Sequence, residues 1–141
     1  MYRFLEARVA DYMSSPVVAV GPDTPLRDLE AEFAAHDFNG FPVLDEGGGL
    51  AGFVTKFDVL KVFVFTTRSV VPAYEELAQR TAREIMTHDV IVFRPDTPVS
   101  RVLQTLVDFR VKSFPVVENG RVVGIIARED ILRALHEAAA K

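Results

Sequence analysis

The chain has 141 residues, 49% apolar and 26% charged, enough for one compact domain or two small halves. A net charge of −4 builds no basic face for a nucleic-acid backbone, and the absence of cysteine excludes disulfides, thiolate catalysis and thiolate zinc sites. The most apolar run, VLKVFVF at 59–65, is broken by Lys61 and falls well short of the roughly 20 residues of a membrane span. The charged N-terminus, MYRFLEARVADYM, has no apolar signal core. A soluble cytoplasmic protein is expected, with neither nucleic acid nor membrane as a partner.

RFLEARVADYM opens the chain as a leading helix. PVVAV, at 16–20, is a β-branched run bounded by turn residues and reads as a strand. PDTP follows, with Thr24 as a helix N-cap and Pro25 at the first helical position. Leu26, Leu29, Phe33 and Ala34 then recur at helical spacing. GFPVLD is a strand with proline near its start, where a missing N–H is tolerated. DEGGG is a turn, since it lacks the Lys-Ser/Thr of a phosphate-binding loop, and LAGFVT completes a hairpin. A second helix begins at Thr55. The stretch KVFVFTTRSVV, at 61–71, carries Phe63, Val64 and Phe65, which cannot all face one core from one short helix end. Either it covers the core between two halves or it forms an apolar patch at a dimer or partner interface. PAYEELAQRTAREIM, at 72–86, is charged and helix-forming and begins with Pro72, so it reads as a linker helix.

The same order then returns. DVIVF is a strand. Thr97 and Pro98 start a helix whose apolar face is Val99, Val102, Leu103, Leu106 and Val107. SFPVVE and VVGIIA form a hairpin across ENG, and a last helix begins near Arg128. At one constant offset Met13 meets Met86, PDTP meets PDTP, and Phe41-Pro42-Val43 meets Phe114-Pro115-Val116. After the glycine turn, which is one residue longer in the first copy, Gly52, Asp58 and Leu60 meet Gly124, Asp130 and Leu132. The chain is therefore a duplication of a β-α-β-β-α unit. A unit of about 50 residues is too small to bury its apolar face alone, so the two copies are expected to pack sheet to sheet and share a core. The expected division is 1–71 for the first repeat with its N-terminal helix, and 72–141 for the linker helix and second repeat.

This ordered set resembles a tandem pair of CBS domains, also called a Bateman module, in a small stand-alone protein. The resemblance covers roughly residues 9 to 60 and 82 to 135. It implies an α/β fold of the α+β kind, two repeats packed sheet to sheet with pseudo-two-fold symmetry. It also implies a regulatory module, not a catalyst, that pairs into a homodimer through its CBS domains. Family members bind adenine nucleotides or S-adenosylmethionine in clefts between the repeats. AMP, ADP, ATP or S-adenosylmethionine is thus the implied ligand, with no catalytic cofactor.

GFVTKFDVL and GIIAREDIL hold the ligand motif of the resemblance at Gly52, Thr55 and Asp58, and at Gly124 and Asp130. Thr55 and Asp58 have the spacing of a capping box, and an acid in the first helical turn favours the helix dipole. Alternatively, a fixed carboxylate accepts hydrogen bonds from two vicinal ribose hydroxyls, while helix N–H groups with Lys56 and Arg128 face phosphate. Ala127 stands where Thr55 does, so Asp130 is not expected to be half of a capping box, and the ribose reading gains weight. The resemblance further places adenine against Val17 and Val18, or Val90 and Ile91, together with Phe41, Pro42 and Val43 or Phe114, Pro115 and Val116. The Thr55–Asp58 side is expected to be the more complete of two unequal sites.

His36, His88 and His136 have no partners at metal spacing, and Ser14 and Ser15 lack the context of a catalytic serine. Three classes of function remain: a ligand sensor, a structural or partner-binding module without nucleotide, and, with least support, an enzyme. A sensor needs an output, and LHEAAAK leaves no room for an effector domain, so a separate protein is the expected target.

Overall fold

A computed structural model describes residues 2–15, 17–64 and 74–140. Among them the chain runs α1 (Tyr2–Glu6), α2 (Val9–Tyr12), α3 (Leu26–Ala35), β1 (Gly40–Leu44), β2 (Leu50–Thr55) and α4 (Lys56–Val62). It continues as α5 (Tyr74–Ala78), α6 (Ala82–Ile85), α7 (Val99–Phe109), β3 (Ser113–Glu118), β4 (Arg121–Ala127) and α8 (Arg128–Ala139). Pro72 and Phe65 lie outside the described residues.

Both expected hairpins are present as antiparallel pairs, with Phe41 opposite Val54 and Phe114 opposite Ile126. Asp45 closes the first turn, its Oδ1 accepting from the N–H groups of Gly47 (3.0 Å) and Gly49 (2.9 Å). Asn119 and Gly120 close the second with φ of 53° and 77°, the left-handed pair that a two-residue hairpin turn requires.

PVVAV and DVIVF do not form the full strands expected of them. Each contributes one parallel bridge, Val20 to Val43 and Phe93 to Val116. The Val20 N–H donates to the Pro42 carbonyl (3.0 Å), and the Leu44 N–H donates back to Val20 (2.9 Å). Extending that ladder toward Val18 would need a donor from residue 42, which is proline and has none; Pro115 stops the second ladder toward Ile91 in the same way.

The helix starts also differ. Pro25 and Pro98 are the N-caps of α3 and α7. Thr24 and Thr97 instead close the preceding turns, their Oγ1 atoms accepting from the N–H of Gly21 (3.0 Å) and Arg94 (3.2 Å). The linker is two helices, α5 and α6. Thr81 restarts the chain, its N–H donating to Glu84 Oε1 at 3.2 Å.

The chain folds into two compact units, one of Val18–Val90 and one of Met1–Val17 with Ile91–Lys141. The leading segments have therefore changed places relative to the division at 71/72. The linker docks on the first copy: Ala82 and Arg83 donate to the carbonyls of Thr24 (2.9 Å) and Pro22 (2.8 Å). The N-terminal segment docks on the second: Val9 and Ala10 donate to Thr97 and Pro95, both at 2.9 Å. Each PDTP turn thus receives the first N–H groups of a short helix, which have no partner within that helix.

Each unit has its own core cluster. In Val18–Val90 it includes Leu26, Leu29, Phe41, Val43, Val54, Ala82 and Met86. In the other it includes Phe4, Val9, Val99, Val102, Phe114, Val116, Ile126 and Ile131. The docked segments supply Ala82 and Met86 in one case, Phe4 and Val9 in the other. This is apolar cover that a bare repeat lacks.

Candidate functional site

In both repeats the second hairpin strand runs straight into a helix. Thr55, the N-cap of α4, is extended with φ −111° and ψ 166°, and Ala127, the N-cap of α8, has φ −122° and ψ 165°. At α4 the capping box is complete. The Asp58 N–H donates to Thr55 Oγ1 (3.1 Å), and the Thr55 N–H donates to Asp58 Oδ2 (2.9 Å).

At α8 half of that box persists, contrary to the expectation for Asp130. The Ala127 N–H donates to Asp130 Oδ2 at 2.8 Å. Only the return bond is missing, because alanine has no side-chain oxygen. The acidic half of a capping box needs the backbone of the N-cap residue and not its side chain. Retention of the aspartate without the hydroxyl is therefore explained by local structure alone.

Both carboxylates are buried, Asp58 at 4% exposure and Asp130 at 7%. Each turns its other oxygen toward a cation one helical turn on. Lys61 Nζ lies 3.2 Å from Asp58 Oδ1, and Arg133 Nη1 lies 3.5 Å from Asp130 Oδ1. The carboxyl of Asp130 is held above its ordinary pKa, first by burial, against the opposing effects of the Ala127 N–H and Arg133. The sequence reading missed Lys61 and Arg133. Their signal was an Asp-to-cation spacing of one helical turn, repeated in both copies.

The other site residues divide between the two units. Lys56 and Arg128 are exposed at the first turns of α4 and α8. Their backbone N–H groups donate to Asn39 (3.3 Å) and Lys112 (3.0 Å), which ties each helix start to the residue before its hairpin. Val18 and Val90 belong to the unit with Asp58, Val17 and Ile91 to the unit with Asp130; all four are half-buried. Phe41, Val43 and Val116 are fully buried and Phe114 nearly so. Their side chains build the cores, so at positions 41–43 and 114–116 a ligand would meet the backbone or the buried prolines Pro42 and Pro115.

The motif glycines have a packing cause. A Cβ on Gly52 would stand 2.5 Å from Met86 Sδ and 2.7 Å from the Thr87 carbonyl oxygen. On Gly124 it would stand 2.5 Å from Met13 Sδ and 3.0 Å from the Ser14 carbonyl oxygen. These are the points where the docked segments cross β2 and β4, through paired backbone bonds between Phe53 and Thr87 and between Ser14 and Ile125.

His36 stacks on Phe38 at 5.1 Å, and no group of three or more potential metal ligands occurs among the described residues. Phe63 stacks on Tyr74 at 6.0 Å and packs against the first core, while Val64 is exposed. None of the described helices is long and apolar enough to cross a membrane.

Two copies of one hairpin-and-helix unit, each with a buried aspartate at a helix start, define a tandem-repeat module of mixed helix and strand. The CBS domain family matches residues 9–64 and again 82–137, and the chain belongs to that family as a tandem pair. It is 29% identical to an uncharacterised protein, MJ1426, of Methanocaldococcus jannaschii, over 90% of each chain. It is 32% identical to the L-aspartate semialdehyde sulfurtransferase of the same organism, over 89% of this chain but only 22% of that one. The relatives with enzyme names are thus much longer proteins, of which this chain spans about a fifth in that case. Among solved structures, the CBS domain pair of protein MJ0100, in complex with 5′-methylthioadenosine and S-adenosyl-L-methionine, matches with a TM-score of 0.78 and 28% identity. The match covers 94% of this chain and 98% of that one.

Proposed function

We propose that this chain is a regulatory module that binds an adenosyl ligand, AMP, ADP, ATP or S-adenosylmethionine, and signals its occupancy to a separate protein. The observation that carries the reading is the match over nearly the whole chain to a CBS pair solved with two adenosyl ligands. Asp58 and Asp130 are the proposed ribose carboxylates. An ionised carboxylate has about four acceptor sites. The two oxygens of each aspartate are engaged by one backbone N–H and one cation, which leaves room for a vicinal diol. Thr55 and the first-turn cations Lys56 and Arg128 would serve the remaining polar groups. Val17, Val18, Val90 and Ile91 would serve the adenine. A homodimer in the cytoplasm is the proposed working form. Signalling requires that the ligand favour one arrangement of the protein over another.

Isothermal titration with the four ligands and 5′-methylthioadenosine tests this, on the wild type and on Asp58→Asn and Asp130→Asn. Asparagine keeps an oxygen for the N-cap N–H and removes the charge. At least one ligand is expected to bind the wild type. Each affected site should lose about tenfold or more in affinity, the effect of removing a charge-assisted hydrogen bond. Asp58→Asn should cost more than Asp130→Asn if the Thr55 side is the more complete. No binding to the wild type at millimolar ligand overturns the proposal.

A second reading has an observation in its favour: both aspartates already have a structural role at helix starts. On that reading the module keeps its fold for partner binding and holds no nucleotide. A flat titration alongside an intact fold is its signature.

A further inference from the structure

Among the described residues, one contact set belongs to the second repeat alone. Arg133, on α8, turns three edges of its guanidinium to three partners. Nη1 faces Asp130 Oδ1 at 3.5 Å, Nη2 donates to the Tyr12 carbonyl at 3.0 Å, and Nε faces Glu137 Oε2 at 3.7 Å. Its Cζ also lies over the Tyr12 ring, 5.3 Å from the ring centre, and the Tyr12 hydroxyl donates to Glu137 Oε1 at 3.1 Å. Tyr12 ends α2, the last helix of the exchanged N-terminal segment. One rigid, planar group therefore joins the buried carboxylate to a segment more than a hundred residues away in sequence.

The first repeat supplies an internal control. Lys61 stands where Arg133 does and faces Asp58 Oδ1 at 3.2 Å, but its ammonium lies over the ring of Phe57 on its own helix, at 5.3 Å. The residue equivalent to Tyr12 is Ile85, whose side chain has neither hydroxyl nor ring. The same carboxylate–cation pair is present there without the tie to the docked segment.

We infer that Arg133 is a latch through which the state of Asp130 sets how firmly the N-terminal segment is held on the second repeat. The guanidinium fork is planar and its donors are fixed relative to one another. A new partner at Asp130 Oδ1 draws on the same group that holds the Tyr12 carbonyl, so the two engagements cannot change independently. As regulation of the proposed ligand site, the inference rests on Asp130 taking part in ligand binding. The latch itself is independent of that and is tested without ligand.

Hydrogen–deuterium exchange read by mass spectrometry, on the whole chain, is the test. Asp130→Asn retains an acceptor for the Ala127 N–H and removes the attraction for Arg133. It should speed exchange in residues 2–15 about two- to fivefold, the size expected of one partly exposed ion pair, and leave residues 74–90 unchanged. Arg133→Lys, which keeps the charge and loses the fork, should do the same. Combining it with Asp130→Asn should add little. Asp58→Asn should leave residues 2–15 unchanged. Unchanged exchange of residues 2–15 in Asp130→Asn overturns the latch. So does equal loosening of both docked segments, which would mean general destabilisation. In a second arm, S-adenosylmethionine or AMP is added to the wild type and to Arg133→Lys. A ligand that binds both proteins but shifts exchange of residues 2–15 equally in each overturns the regulatory role. Absence of binding counts against the proposed function and leaves the ligand-free result standing.

Discussion

Thr55 and Ala127 hold the same place at the head of equivalent helices and differ by one hydroxyl. The hydroxyl satisfies the N–H of the third helical residue, which at α8 has no side-chain cap. Thr55→Ala should therefore cost about 1 kcal/mol, and Ala127→Thr should recover up to about that much at α8. Urea unfolding of the two single variants and the double swap measures both. If Ala127→Thr destabilises the protein, the open N–H has another use. The aspartates at both positions could be found from sequence, because a local spacing marks them. Their partners were legible only in part. The N-cap spacing suggested Thr55 with Asp58, but alanine at 127 hid the fact that a carboxylate can accept from any residue's backbone.

At the scale of elements, the strongest local instruction is the crossing of a strand by a docked segment. β2 and β4 each carry a glycine because a methionine and a backbone carbonyl press on that spot. The two crossings are unequal. At both glycines the closest atom to an added methyl is a movable methionine sulfur, but at Gly52 the methyl also meets the Thr87 backbone oxygen at 2.7 Å, whereas at Gly124 the nearest backbone oxygen is 3.0 Å away. Gly52→Ala should thus be the more destabilising change, within the roughly 1–3 kcal/mol of an overpacked core. A comparison of the two thermal midpoints decides it, and a larger loss for Gly124→Ala would contradict the geometry. The hairpins were readable from alternation and turn glycines. The short runs before α3 and α7 were not, since β-branched residues promise a strand only where a neighbour has donors to offer, and a proline stands there in each repeat.

At the scale of the whole molecule, the duplication that reveals the family also conceals which parts dock together. Met13 and Met86 are equivalent, as are the two PDTP turns, so either leading segment satisfies either repeat by sequence. The N-terminal segment is found with the distant copy. One unit, Val18–Val90, is a single uninterrupted stretch of chain. A fragment of residues 18–90 should unfold cooperatively in a thermal melt, while 1–71, lacking α6 and the Met86 contact, should not. Cooperative melting of 1–71 and none of 18–90 would refute this account of the units.

The exchange also sets an order of events during synthesis. Phe4 and Val9 emerge from the ribosome well before the surface they cover, which is made of residues 91 onward. At about 5–20 residues per second, these apolar side chains wait roughly 5–20 s for their partners. The middle of the chain can close meanwhile, because every segment it needs is contiguous. Synthesis of these two units thus completes the middle one before the outer one, and Phe4 and Val9 are among the last core side chains to find shelter.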